Sequence, residues 1–191
     1  NWTSHLTGSG PEQHGVVDNG WQISKIKLPA IETDSEGYYP SVFKVLKDNL
    51  PNVKTAFYYN WAELIYPYNK KYLDEFNYLE NDEYVPNYDK AFKFLVEQKE
   101  NPTLIFLYTV HTDHAGHKFK WMSPEYIRSI EEVDVEIGKF IEKIKSEGLY
   151  EDTHFMFLSD HGGIEKGHGG VTTHEMIVPW GVTGPGIKKD F

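Results

Sequence analysis

Two short apolar segments, each followed by Asp, His and Gly residues, are the feature that most constrains the fold of this chain. The segments cover residues 104–110 and 155–158 and have the length and composition of buried strands. The residues of metal-ligand type that follow them are Asp113, His117, Asp160, His161 and His168. Polar residues after the carboxyl ends of adjacent strands line the binding crevice of an open α/β sheet. The pattern therefore predicts an α/β fold with a divalent-metal site.

The ligand types and their spacing indicate the metal. Imidazole nitrogen and carboxylate oxygen together suit Zn²⁺, with Mn²⁺ as an alternative. Asp113 and His117 are four residues apart, so one helical turn or a tight loop can bring both to one ion. Five ligands exceed the four positions of a structural zinc ion, which favours two ions that share a substrate. A pair of ions suits an in-line displacement at phosphorus.

Each of these motifs by itself also has an ordinary structural interpretation. Asp-His-Gly is common where a strand enters a turn, and Asp-x-x-x-His is common at solvated helix ends. The combination, with each motif after an apolar segment, is what favours a site. Three further histidines are expected at the surface or in support of the ligands: His111, His114 and His174.

Composition narrows the classes of function. A length of 191 residues suits one domain with a sizeable core. The net charge of −10 disfavours a nucleic-acid duplex as partner, because phosphates repel an acidic surface. No cysteine is present, which excludes disulfides and thiolate ligands. No apolar segment reaches the roughly 18 residues of a membrane-spanning helix.

Predicted strands and helices alternate along the chain, which favours an α/β fold with a doubly wound, mostly parallel sheet and flanking helices. Helices are predicted over 40–50, 88–98 and 123–148, after the tail of a helix in 1–10. Strands are predicted over 53–59, 103–110, 154–158 and 176–182. The apolar residues within 60–88 recur with neither a helical nor a strand period. We therefore expect this segment to be an irregular insertion with short helices near the site. The whole of 1–191 is expected to form a single domain.

Longer motifs carry a resemblance to a known family. They are Asp113 with His117, Ser159-Asp160-His161-Gly162, Gly167-His168-Gly169, Gly184-Pro185-Gly186, Thr7-Gly8, Pro11-Glu12-Gln13-His14-Gly15 and Val16-Val17-Asp18-Asn19. Together they resemble the alkaline phosphatase superfamily, and most closely its type I phosphodiesterase/nucleotide pyrophosphatase branch. The likeness covers both ends and the centre of the chain, and residues 22–100 only loosely.

The resemblance implies a fold and an activity. It assigns Asp113, His117 and His168 to one divalent metal, and Asp160 and His161 to a second, and it implies that both metals are Zn²⁺. It gives Asn19 the role of donating its amide N–H to a phosphoryl oxygen of the substrate, although Asp18-Asn19-Gly20 is also a good turn sequence. The implied reaction is hydrolysis of a phosphodiester or pyrophosphate bond in a small phosphate ester or nucleotide. Hydrolysis of a phosphomonoester is the alternative within the superfamily.

One part of the family pattern has no counterpart in this sequence. The nucleophilic Thr or Ser, and a metal-binding Asp on the first strand, would both stand before Asn1. We therefore expect an alkaline phosphatase-like domain that is incomplete at its N-terminus, lacks the first strand and has little activity alone. A non-catalytic metal-binding module is the alternative from another class. The resemblance alone suggests a periplasmic or extracellular location.

Overall fold

The computed structural model describes residues 1–188, which form two compact units. The first unit consists of residues 1–87 and 93–109, and the second of residues 88–92 and the chain from Val110 onward. The helices are α1 (Trp2–Thr7), α2 (Pro11–His14), α3 (Val42–Asn49), α4 (Val85–Glu97), α5 (His111–Phe119), α6 (Pro124–Ser146) and α7 (Thr173–Met176). The strands are β1 (Lys54–Tyr59), β2 (Glu75–Tyr78), β3 (Thr103–Leu107), β4 (Phe155–Leu158) and β5 (Trp180–Thr183).

The first unit is built on a parallel three-stranded sheet in the order β2-β1-β3. Strand β1 lies in the centre, and its residues Ala56, Phe57 and Tyr58 are fully buried. Burial on both faces is expected for the central strand of a parallel sheet. The ring of Phe57 lies 4.8 Å from that of Phe106 on β3, centroid to centroid, and 5.7 Å from that of Phe43 on α3. This aromatic core fixes the sheet to α3.

Residues 60–88 contain more regular structure than the sequence indicated. The expected short helices are present as 3₁₀ turns at Ala62–Ile65 and Lys70–Tyr72. The strand β2 was not predicted, although it pairs in parallel with β1. Its four residues alternate polar and aromatic over too short a span to be distinguished from a loop. The role of this segment as an insertion near the site stays a prediction.

The predicted helix over 123–148 is confirmed as α6, the longest helix among residues 1–188. The Ser123 Oγ accepts a hydrogen bond from the Tyr126 N–H at 3.2 Å, and Pro124 occupies the first helical position. The chain leaves the helix at Gly148, whose φ of +71° suits a residue without a side chain.

The second unit differs from expectation in its strands. Strand β4 pairs with β5, and the pair is antiparallel rather than parallel. The predicted last strand over 176–182 begins only at Trp180, because Thr173–Met176 forms α7. Strands β3 and β4, expected to be adjacent, belong to different sheets within residues 1–188. The α/β class with a parallel sheet flanked by helices is confirmed.

None of the helices within residues 1–188 has the length and apolar character that crossing a membrane requires.

Candidate metal centre

Helix α5 presents Asp113 and His117 on one face, because residues four apart lie one above the other in an α-helix. The His117 Nε2 lies 3.6 Å from the Asp113 Oδ2. The sequence left open whether a helical turn or a loop would join these residues, and the structure shows a helix. Both side chains therefore reach the same region of the second unit.

The turn after β4 carries the second pair of candidate ligands. The Ser159 Oγ donates a hydrogen bond to the His161 carbonyl at 2.9 Å, which holds the turn tight. The His161 Nε2 lies 3.6 Å from the Asp160 Oδ2, so these adjacent side chains do converge. Backbone folding at this turn, rather than sequence spacing, brings the two groups together.

Asp113, His161 and His168 form a group of three whose ligand atoms all lie within 4.8 Å of one another. The Asp113 Oδ1 is 3.8 Å from the His161 Nε2 and 3.6 Å from the His168 Nε2. The expected assignment placed His161 with a different ion from the other two residues. In the structure Asp113 lies beside residues of both expected sets.

Backbone carbonyls orient two of the imidazole rings. The His117 Nδ1 lies 2.9 Å from the Lys166 carbonyl oxygen, and the His161 Nδ1 lies 2.8 Å from the Gly162 carbonyl oxygen. A carbonyl only accepts, so each Nδ1 carries the proton and donates it. In a neutral ring the Nε2 then keeps its lone pair for a metal ion. Both Nε2 atoms are the ones that face Asp113.

Burial shifts the charge states in the cluster. It raises the pKa of Asp160 above its usual value, and the neighbouring His161 opposes that rise. It lowers the pKa of His168, and the adjacent His161 lowers it further. The ring of His168 is therefore neutral under conditions in which an exposed imidazole begins to take up a proton. A neutral imidazole is the form that ligates a metal.

The hydrogen bonding of one atom indicates whether this site suits a metal ion. The Asp113 Oδ1 is buried and finds no hydrogen-bond partner among residues 1–188. A buried carboxylate oxygen without a partner is costly, and each such atom in a native protein requires an explanation. A cation held between this oxygen and the facing imidazole nitrogens satisfies it. The donor set of one carboxylate and two imidazoles is one that zinc accepts.

Comparison with known sequences identifies the family. Residues 1–176 match the sequence model of type I phosphodiesterase / nucleotide pyrophosphatase. The chain belongs to this family. The likeness first stated from short motifs is thereby confirmed over most of the sequence.

Individual relatives of this phosphodiesterase-family chain are considerably longer. It is 29% identical to an uncharacterised pyrophosphatase/phosphodiesterase of Schizosaccharomyces pombe, covering 82% of this chain and 34% of that protein. It is 25% identical to ectonucleotide pyrophosphatase/phosphodiesterase family member 3 of Rattus norvegicus, covering 82% of this chain and 18% of that protein. The chain thus spans 34% or less of the length of these curated relatives.

Two solved structures share the fold. Murine ectonucleotide pyrophosphatase / phosphodiesterase 5, in an inactive form in complex with AMP, aligns with a TM-score of 0.62 at 18% identity over 85% of this chain and 44% of its own. The lipoteichoic acid synthase LtaP of Listeria monocytogenes aligns with a TM-score of 0.58 at 21% identity over 80% of this chain and 48% of its own. The alkaline phosphatase-like fold expected from the motifs is confirmed.

Asn19, assigned by family resemblance, lies in the first unit. It is exposed and occupies the turn that Asp18-Asn19-Gly20 predicts. The Asp18 Oδ1 accepts from the Gly20 N–H at 2.9 Å, and the Lys27 Nζ bonds the Asp18 Oδ2 at 2.7 Å. The turn interpretation is confirmed, and the role of Asn19 toward substrate stays a proposal.

The expected ligands His117 and Asp160 lie outside the group of three, as do the remaining histidines of residues 1–188. His114 and His174 are exposed, as the sequence analysis expected. The His111 Nε2 lies 2.9 Å from the Glu132 Oε2, which places this ring between α5 and α6. None of these three histidines is an expected ligand, so they serve as controls for the candidate ligands.

Sequence reasoning missed two residues that shape the site. The buried ring of Trp121 faces two glycines of ligand-bearing segments: a Cβ added at Gly116 or Gly163 would meet it at 2.7 or 2.2 Å. The ring also packs edge-on against His117, with centroids 5.1 Å apart. No sequence pattern indicated this packing. The second residue, Glu175, was detectable, since Thr172-x-x-Glu175 is a capping-box pattern.

Proposed function

We propose that this chain is part of a metal-dependent hydrolase of phosphodiester or pyrophosphate bonds. The observation that carries the proposal is the buried Asp113 Oδ1, which has no hydrogen-bond partner among residues 1–188 and faces the Nε2 atoms of His161 and His168 at 3.8 and 3.6 Å. Its metal is Zn²⁺, held by residues from α5 and from the two loops after β4. Membership of the type I phosphodiesterase / nucleotide pyrophosphatase family supports the reaction type.

The proposal keeps two ions. Asp113, His117 and His168 hold one, and Asp160 and His161 hold the other. The 3.8 Å between the Asp113 Oδ1 and the His161 Nε2 supports neighbouring sites, because a residue of the first set lies next to a residue of the second. Bound divalent ions would stabilise the negative charge that develops on the phosphoryl oxygens.

The residues of the chain have separate tasks in this proposal. The Nδ1–H groups of His117 and His161 bond backbone carbonyls, which keeps both rings in the orientation that ligation needs. The side-chain amide of Asn19 donates to a non-bridging phosphoryl oxygen and stabilises the charge there. The nucleophilic hydroxyl belongs to a Thr or Ser that precedes Asn1 in the parent protein.

A small phosphate ester or nucleotide is the proposed substrate. Its support is the family's nucleotide pyrophosphatase name and the AMP bound to the murine relative. The net charge of −10 argues against a nucleic-acid duplex.

Zinc binding is the first experiment. Isothermal titration of the 191-residue chain with ZnCl₂ should show a tight site that His168→Ala weakens strongly. The matched control is His174→Ala, since His174 is exposed and lies outside the group of three. Equal affinity of the wild type and His168→Ala would contradict the site.

Hydrolysis of bis-p-nitrophenyl phosphate in the presence of Zn²⁺ is the second experiment. A chain extended upstream by about 50–80 residues, the length of a strand and helix with connections, should be active and lose activity to a chelator. The 191-residue chain should be orders of magnitude slower, because a covalent intermediate needs an activated hydroxyl. Equal turnover of the two chains would show that the nucleophile is placed wrongly.

A further inference from the structure

The two loops that carry His161 and His168 meet at one residue, Glu175. The residue is only 7% exposed, which is unusual for Glu unless its carboxylate is paired. It is the third residue of α7, the short helix between the loop at residues 167–172 and β5. None of its atoms belongs to the group of candidate ligands.

The carboxylate of Glu175 bonds the loop that carries His168. Its Oε1 accepts from the Gly170 N–H at 2.8 Å. Its Oε2 accepts from the Thr172 Oγ1–H at 2.7 Å and from the Thr172 N–H at 3.4 Å. The loop after His168 is therefore closed onto a charged acceptor, and such hydrogen bonds are roughly twice as strong as neutral ones.

The main chain of Glu175 bonds the other loop. Its carbonyl oxygen accepts from the Gly162 N–H at 2.8 Å, one residue after His161. The two backbones approach so closely that a Cβ at Gly162 would lie 2.0 Å from the His174 carbonyl oxygen. Only glycine permits this approach.

We propose that Glu175 is a positioning residue for the metal centre: it fixes the separation of His161 and His168. The inference rests on the proposed function, because it concerns the same site. The rings of these histidines stack with centroids 3.7 Å apart. Both Nε2 atoms thereby face the Asp113 Oδ1 at similar distances, 3.8 and 3.6 Å. Loss of the carboxylate frees the loop of His168, while the backbone bond to Gly162 remains.

Zinc affinity separates this role from a general contribution to folding. The affinity of Glu175→Ala for Zn²⁺, measured by competition with a chromophoric chelator, should fall by ~10–100-fold, the range for residues that orient ligands. Glu175→Gln keeps one acceptor for the Gly170 N–H. Its affinity for Zn²⁺ should therefore lie between those of Glu175→Ala and the wild type. The absorption spectrum of bound Co²⁺ should change in both variants, because it reports the geometry of the ligands.

A matched control is Ser123→Ala, which removes the hydrogen bond that caps α6 in the same unit, a bond that involves no residue of either loop. It should lower the thermal midpoint of the metal-free protein and leave the zinc affinity unchanged. Glu175→Gln should show the opposite pattern, a nearly unchanged midpoint with weaker zinc binding.

The outcomes distinguish a failure of this inference from a failure of the proposed function. The inference alone would be overturned if the wild type binds zinc tightly and both variants, Glu175→Gln and Glu175→Ala, match it in zinc affinity and in Co²⁺ spectrum. Failure of Glu175→Ala to fold would leave Glu175→Gln to decide. Absence of zinc binding by the wild type would overturn both the inference and the metal site.

Discussion

The imidazole rings of His161 and His168 stack with their centroids 3.7 Å apart and their planes at 19° to each other. Burial and the neighbouring His161 both lower the pKa of His168, so the stack disfavours a proton on that ring. The two imidazole nitrogens and the Asp113 carboxylate lie within 4.8 Å of one another, a spacing that suits a shared cation.

Asp113→Asn should stabilise the metal-free protein and abolish its stabilisation by zinc. The substitution removes a charge from the buried carboxylate whose Oδ1 lacks a hydrogen bond within the described part of the chain, and an amide N–H can donate to the Nε2 of either facing imidazole. The free energy of unfolding should rise by about 1 kcal/mol in chelator. Urea denaturation with and without Zn²⁺ measures both effects. A less stable variant in chelator would mean that Asp113 serves the fold rather than a metal.

Gly163→Ala should damage the site, whereas Gly167→Ala should not. A Cβ at Gly163 would lie 2.2 Å from the buried ring of Trp121, and one at Gly167 meets nothing within 4 Å. We expect Gly163→Ala to cost about 1–3 kcal/mol of stability, as overpacking does, and to weaken zinc binding. Gly167→Ala should stay within about 0.5 kcal/mol of the wild type. Thermal unfolding and zinc titration of the pair test this, and equal behaviour would refute the packing argument.

His14 should make the protein less stable in mild acid. Its Nδ1 accepts from the Val16 N–H at 3.0 Å, so its Nε2 carries the proton and donates to the Ser4 Oγ. Burial lowers the pKa of His14, and its protonation would break the bond from Val16. The unfolded chain therefore binds more protons between this lowered pKa and about 6.5, and stability is lost as pH falls through that window.

The variant His14→Asn isolates this effect, because an amide oxygen can accept from the Val16 N–H without titrating. Urea denaturation between pH 8 and pH 5 should show a shallower loss of stability in the variant than in the wild type. Parallel curves would show that His14 does not titrate differently in the folded and unfolded states.

Asn19→Ala should lower turnover in a chain that contains the nucleophile and leave metal binding unchanged. The loss should be ~10²–10³-fold if the amide acts as an oxyanion-hole donor. Asn19 is exposed and is absent from the residues with positive φ, so alanine fits the turn without strain. Unchanged activity on bis-p-nitrophenyl phosphate would identify Asn19 as a turn residue only.

Local elements followed from the sequence because their signals are local. Ser123-Pro124 and a three-to-four-residue apolar repeat predicted α6, and the cap bond from Tyr126 confirms the start of that helix. The apolar segments predicted β1, β3 and β4 to within a few residues. Helices α2 and α7 and strand β2 were missed, since each has only four residues, too few to show a recognisable period.

The sequence by itself determined which residue types are available as ligands and where they stand relative to strands and turns. Tertiary structure decided which of them meet. Asp113 lies beside His161 and His168 because α5 and the loops after β4 pack around Trp121. The two loops are in turn bonded to each other through Glu175. Those contacts link residues far apart in the chain, and each depends on backbone approaches that only the folded protein creates. Spacing along a sequence constrains neighbours within a turn or two, whereas a metal centre is defined by distances across the fold.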